Sequence, residues 1–329
     1  MASSQPAIPD SLTGVIAPLF TAVHEDGSLD LGGSAELVRW LADTRSVDGV
    51  FARSGMGKMF TFTVDEARRL IRSVAEDAAG RMHVLAGCAG EWLEQPTGRS
   101  ADPARYTRQA IDLTKFAADA GADVAVHIIP HAIAAEEGET ETDVVLRYYE
   151  AVHESTSMPL ALYQPGGVPK PYQLTPDVMA RLLEMPRIMG LKLSTTDPRL
   201  FGPIAEVCAA RPFGLICGHE GYYSKGLQQG AVGVIGGGCM LYPDLLQAVR
   251  AAHVAGDLDA AARAQELVDA ALHALDGRDF VVATKQIAAS MSYAVQPFDR
   301  SGAPPCDAGI IHGIKTTLER LRRKCAQAG

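Results

Sequence analysis

Two residues in this sequence join a reactive side chain to a position at the end of an apolar run. Lys192 closes Ile188-Met-Gly-Leu-Lys192, and Tyr163 closes Pro159-Leu-Ala-Leu-Tyr163. A lysine at the end of a buried strand is poorly solvated as an ammonium, so the neutral amine becomes available to attack a carbonyl. The iminium that results withdraws electrons. A neighbouring carbon–carbon bond can then break or form, or a hydroxyl can leave once a proton has been taken. A tyrosine hydroxyl alongside can carry the protons these steps require. Each residue also has a plainer reading, Lys192 as the structural partner of a carboxylate and Tyr163 as a core aromatic with a satisfied hydroxyl.

Two glycine-rich turns add binding capacity. In Arg53-Ser54-Gly55-Met56-Gly57-Lys58 the glycines allow backbone amides from Ser54 to Gly57 to converge on an anion such as a substrate carboxylate. The same residues could form only a tight strand-to-helix turn. In Gly233-Val-Ile-Gly236-Gly237-Gly238, glycines let a ligand approach the backbone at Gly236 and Gly237, or relieve crowding where strands close up. His131 and His219 are titratable candidates near the same end of the strands, each on its own reading as non-catalytic.

The elements that must position these residues follow an alternating pattern. Short apolar runs at 14–20, 49–52, 83–87, 123–129, 159–163, 188–192, 214–217 and 233–235 read as eight strands. Between them, apolar residues recur at helical spacing over 35–41, 66–78, 106–120, 144–154 and 176–183. Near-continuous apolar strands alternating with helices predict a parallel sheet buried on both faces, and eight such units close a barrel. The predicted class is an α/β TIM (β/α)8 barrel with a C-terminal helical extension. An open doubly wound sheet is the rival, disfavoured because no G-x-G-x-x-G follows the first strand. After Gly238 only helical patterns remain, over 243–255, 257–274, 284–290 and 308–324. Residues 1–240 are therefore expected to form the barrel, and 241–329 a helical region packed on it. The segment 91–103 reads as a surface insertion and the acidic loop 131–141 as part of the site's rim.

In a barrel of this kind the C-terminal strand ends meet at one mouth, which would bring Tyr163 and Lys192 side by side. The 329 residues suffice for one large core, and the 47% hydrophobic and 21% charged content is that of a globular enzyme. Thirty Lys and Arg against 39 Asp and Glu give a net charge of −9, so no basic field gathers nucleic acid or anionic lipid. Six scattered cysteines, without CxxC or metal-ligand spacing, read as reduced core thiols and point to the cytoplasm. Residues 1–9 lack the pattern of a signal peptide, and no run of about 18 apolar residues indicates membrane insertion. No His/Asp/Glu cluster has metal-ligand spacing, and the chemistry calls for no cofactor.

Taken in order, these pieces resemble the dihydrodipicolinate synthase / N-acetylneuraminate lyase family. Gly14-Val-Ile-Ala-Pro-Leu-Phe-Thr with Asp26-Gly-Ser-Leu-Asp30 looks like the family's first strand and loop, and Ser54 to Thr63 occupies the place of its carboxylate-binding turn. Tyr163-Gln-Pro-Gly resembles its Tyr-Asn-x-Pro motif, Gly190-Leu-Lys192-Leu-Ser194 its Schiff-base lysine motif, and Gly230-Ala-Val-Gly-Val-Ile-Gly236 its eighth-strand signature. The resemblance runs from about Gly14 to about Pro297. It implies an (α/β)8 barrel, a Schiff base between Lys192 and a 2-oxo acid, and a homotetramer built as a dimer of dimers.

The departures bear on the reaction. The family turn reads Gly-Thr-Thr-Gly-Glu, or Ser-Thr in the sialic acid lyases, whereas Gly55 and Met56 replace the hydroxyl pair here and Lys58 replaces the acid. The family's Pro-Tyr-Tyr becomes Pro130-His131-Ala132, removing the tyrosine donated across the subunit interface. Gly167 and Val168 stand where an arginine grips the synthase's second substrate. Lys58 could add charge for a more acidic substrate, although a solvated surface lysine is the preferred reading. The expectation is a class I lyase of the pyruvate-aldolase type, distinct from authentic dihydrodipicolinate synthase. A sugar-acid dehydratase using the same imine and a catalytically silent metabolite-binding barrel are the alternatives.

Overall fold

The computed structural model describes residues 7–45, 47–93, 99–275, 280–291, 295–300 and 302–328. Eight parallel strands close into a barrel in chain order. They are β1 (Gly14–Pro18), β2 (Gly49–Ala52), β3 (His83–Gly87), β4 (Val124–Ile128), β5 (Leu160–Gln164), β6 (Ile188–Leu193), β7 (Gly214–Cys217) and β8 (Gly233–Val234). The barrel shuts where Gly14 and Val15 of β1 pair with Gly233 and Val234 of β8. Nearly every strand residue is buried, as a parallel sheet covered on both faces requires. His127 of β4, a polar exception, is satisfied on both ring nitrogens. Thr114 Oγ1 donates to Ala110 O and so accepts from Nε2–H at 3.0 Å, while the Tyr148 hydroxyl donates to Nδ1 at 2.8 Å. Burial holds this ring neutral, down to about 3.

The helices are α1 (Leu31–Thr44), α2 (Val64–Ala78), α3 (Pro103–Asp119), α4 (Glu141–Ser155), α5 (Pro176–Leu183), α6 (Pro198–Cys208), α7 (Tyr223–Gln228) and α8 (Pro243–Val254), one after each strand. Their starts are written locally. Asp30, Thr63, Asp102, Thr140, Thr175 and Asp197 each cap a helix with a side-chain oxygen, and Pro103, Pro176 and Pro198 occupy first-turn positions that need no amide donor. Beyond α8, the helices α9 (Leu258–Leu275), α10 (Phe280–Ser290) and α11 (Ala308–Ala328) form the C-terminal extension. No described helix is long and apolar enough to cross a membrane.

One short turn plugs the closed end. Leu12, fully buried, sits where Gly190 and Gly214 leave room, because a Cβ on either would come within 3.0 or 2.7 Å of its side chain. Of the six cysteines, all unpaired, four are buried as core thiols, but Cys306 and Cys325 are only half-buried because they belong to the extension.

The register between β5 and β6 matters most for the site. Leu160 pairs with Ile188, but Ala161 pairs with Gly190, so Met189 is an extra residue on β6. From this bulge onward the pairing advances by one, and Tyr163 lies opposite Lys192. Without it Tyr163 would face Leu191, and the lysine would point to the other side of the sheet.

Candidate active site

The strand ends open onto a cavity of about 1060 Å³ at the barrel mouth. Lys192 and Tyr163 both line it and are only 6% and 7% exposed. Lys192 Nζ rests 4.3 Å from the centre of the Tyr163 ring and 5.8 Å from that of Phe51, which meets Tyr163 edge-on. Among the described residues, neither a carboxylate nor any hydrogen-bond acceptor engages Nζ. The structural ion pair weighed for this lysine is therefore not formed.

The turn after β2 divides its labour. Gly55, Met56 and Lys58 line the cavity, whereas Ser54 and Gly57 do not. Ser54 is fully buried, its hydroxyl donating to Leu19 O at 2.8 Å and accepting the Gly57 amide at 3.1 Å. These two expected binding residues brace the turn from behind. The Lys58 amide is likewise spent on Gly55 O at 3.1 Å, which leaves the amides of Gly55 and Met56 without an internal acceptor among the described residues. Gly55 stands close to Tyr163, since a Cβ on it would lie 2.8 Å from the phenolic oxygen.

Gly236 and Gly237, after β8, also line the cavity. A Cβ on the first would lie 2.2–2.5 Å from the carboxyl of Glu220, which would have to shift. Glu220, 5% exposed, accepts the Gly238 amide at 2.5 Å and is the cavity's carboxylate among the described residues. Glu220 was not among the residues expected at the site. The available signal was its place just after β7, where strand ends feed the mouth.

His131 and His219 both reach the cavity, but differently. His131 donates Nδ1–H to Ile129 O at 2.8 Å and packs edge-on against Phe60 and Trp92. Burial holds its imidazole below the ordinary histidine range, so Nε2 keeps a lone pair. His219 is exposed, and its Nδ1 accepts from the Gly221 amide at 3.2 Å. The surface insertion 91–103 meets the mouth at its start. Trp92 packs on Phe60, which lines the mouth, while Glu91 is fastened to Arg105 and Gln109; residues 94–98 of it lie outside the described residues. Leu272, His273 and Leu275 of α9 complete the wall, so the extension contributes to the site. No group of three or more His, Cys, Asp or Glu among the described residues is placed to hold a metal ion.

A scan against family models matches residues 11–319 to the Dihydrodipicolinate synthetase family. The 4-hydroxy-tetrahydrodipicolinate synthase of Nitrosospira multiformis is 32% identical over 260 residues, covering 78% of this chain and 77% of that one. Among solved structures, YagE, a prophage protein of the dihydrodipicolinic acid synthase family from E. coli K12 in complex with pyruvate, superposes with a TM-score of 0.78. The identity is 24%, with 94% and 98% of the two chains covered. N-acetylneuraminate lyase from Mycoplasma synoviae gives 0.77 at 20% identity, over 96% and 99%. The synthase name carried by such relatives gives no support to excluding that activity here. The chain is a lyase of the class I aldolase type and belongs to the dihydrodipicolinate synthetase family.

Proposed function

We propose that Lys192 condenses with the ketone of a pyruvate-type 2-oxo acid and that the resulting imine drives cleavage or formation of the adjacent carbon–carbon bond. The observation that carries this reading is the Lys192 amine, buried at the mouth without a counter-ion and lying over the ring of Tyr163. In this reading Tyr163 moves the protons, since its hydroxyl has no internal partner among the described residues. The amides of Gly55 and Met56 receive the carboxylate, with Ser54 and Gly57 holding the turn in shape. Gly236 and Gly237 let the substrate approach the backbone. The pyruvate in the YagE complex supports the choice of 2-oxo acid.

We further propose that the second substrate differs from that of the synthase. Gly55 presents no hydroxyl to Tyr163, Ala132 replaces the tyrosine that the synthases donate, and Gly167 at the cavity edge has no side chain to grip a carboxylate. The assembly is proposed as a homotetramer in the cytoplasm, by likeness to the family, which light scattering would test. The experiment for the reaction is incubation with pyruvate and borohydride. Irreversible inactivation that requires both reagents supports the imine, and full activity after treatment defeats it. Products that have lost water without chain cleavage would assign the chain to dehydration instead.

A further inference from the structure

Lys58 lines the same cavity and has no ion-pair or hydrogen-bond partner for its ammonium among the described residues. Its backbone lies in the left-handed region, φ 55 and ψ 49. For a side chain other than glycine, asparagine or aspartate this conformation costs about 1–2 kcal/mol, and such strain concentrates at functional positions. Hydrogen bonds hold it there. The Lys58 amide donates to Gly55 O at 3.1 Å, and its carbonyl accepts both the amide and the hydroxyl of Thr61 at 2.8 Å. The lysine is thus fixed at the rim by a backbone that a glycine would adopt more cheaply.

The charge around it runs against the rest of the molecule. The chain carries a net charge of −9. The described cavity lining nonetheless sets the side chains of Lys58 and Lys192 against the single carboxylate of Glu220, which is already bonded to the Gly238 amide, while burial keeps the His131 imidazole uncharged. At such a mouth an ammonium with no carboxylate of its own, as Lys58 is, draws anions. The carboxylate of a 2-oxo acid is accounted for by the Gly55 and Met56 amides, so Lys58 has capacity for a second negative group. No guanidinium lines the described cavity, and a single ammonium matches one charge better than the two of a phosphate.

Resting on the Schiff-base reading above, we infer that the compound cleaved or made here carries a second carboxylate, on the part of the molecule away from the imine, and that Lys58 Nζ is its counter-charge. Lys58 is a specificity-determining residue that discriminates diacids from monoacids of the same length.

The test measures borohydride-trapped adduct against concentration for two matched pairs, 2-oxoglutarate with 2-oxopentanoate and 2-oxoadipate with 2-oxohexanoate. The diacid of at least one pair is expected to reach half-saturation at a concentration about twofold to fivefold lower than its monoacid. Lys58→Gln should bring that ratio close to one, and Lys58→Arg should keep most of it. Equal behaviour of diacid and monoacid in both pairs overturns the inference, as does a preference that survives Lys58→Gln. Pyruvate with the unmodified protein separates the two levels. If pyruvate is trapped but no diacid preference exists, only the role of Lys58 falls. If nothing is trapped, the imine reading falls and the inference goes with it.

Discussion

Tyr163 and Lys192 stand opposite each other on β5 and β6, with Nζ 4.3 Å from the centre of the phenol ring, because β6 carries one residue more than β5 at its start. The bulge at Met189 sets which side chains of β6 enter the barrel. The proposed reaction needs that local register, which alone brings the phenol and the amine together.

Tyr163→Phe removes the hydroxyl while keeping the ring beside Nζ. If Tyr163 moves protons, kcat should fall by about 10²–10⁴-fold, while the borohydride-trapped adduct with pyruvate still forms. Unchanged turnover would remove Tyr163 from the proton path.

Gly55→Ala tests the contact between the turn and the tyrosine. A Cβ at this position would lie 2.8 Å from the Tyr163 oxygen, so the phenol must shift. Displacement by a fraction of an ångström to one ångström should cost up to about a hundredfold in kcat/KM, with little change in thermal stability. Activity equal to that of the parent would show that the position of the phenol is not critical.

Gly236→Ala should act on both stability and activity. The added methyl overlaps the Glu220 carboxyl, which cannot retreat without losing the Gly238 amide. Overpacking of this kind costs about 1–3 kcal/mol, readable as a lower urea midpoint. A variant as stable as the parent would show that Glu220 has room to move.

Glu66 predicts an acid limb in stability. Its carboxyl accepts from Arg300 at 2.5 and 3.1 Å and from the Thr63 amide at 2.9 Å, and the Arg300 hydrogen bonds lead in lowering it from 4.5 to about 2. A depressed carboxyl contributes fully above its unfolded value, so this stabilisation is complete above about pH 4.5 and is lost as pH falls toward 2. With the pair partly open to solvent, about 1–2 kcal/mol is expected. Urea midpoints of Glu66→Gln should therefore be flatter than those of the parent across that window. Parallel curves would contradict it. Arg300 also donates to Gly27 O and Thr61 O, so the same variant loosens the link between residues 295–300 and the segment that follows the substrate turn.

The barrel was legible because each part of it is written locally. The expected strands at 49–52, 83–87 and 214–217 match β2, β3 and β7, and α5 falls at 176–183, where Thr175 and Pro176 mark its start. Strand ends drifted by one or two residues, after β1 because the apolar Leu19 and Phe20 continue past the last ladder bond. Lys192 and Tyr163 were visible as polar ends of apolar runs. What their side chains do not share with sequence is register: the bulge at Met189 is a pairing choice between strands that no run of residues announces. Ser54 and Gly57 were expected to bind ligand; they lie outside the cavity lining and brace the turn, Ser54 donating to Leu19 O and the Gly57 carbonyl accepting from the Thr21 hydroxyl, both partners in a distant segment. Glu220 was missed beside His219, and the α9 residues Leu272, His273 and Leu275 could not be foreseen, because they reach the mouth through packing between elements far apart in the chain.

The most direct test is a crystal structure of the protein soaked with pyruvate. Continuous density from Lys192 Nζ to the former ketone carbon, with the carboxylate against the Gly55 and Met56 amides, is the predicted result. Pyruvate held without a bond to Lys192, or bonded to a different lysine, would contradict the account.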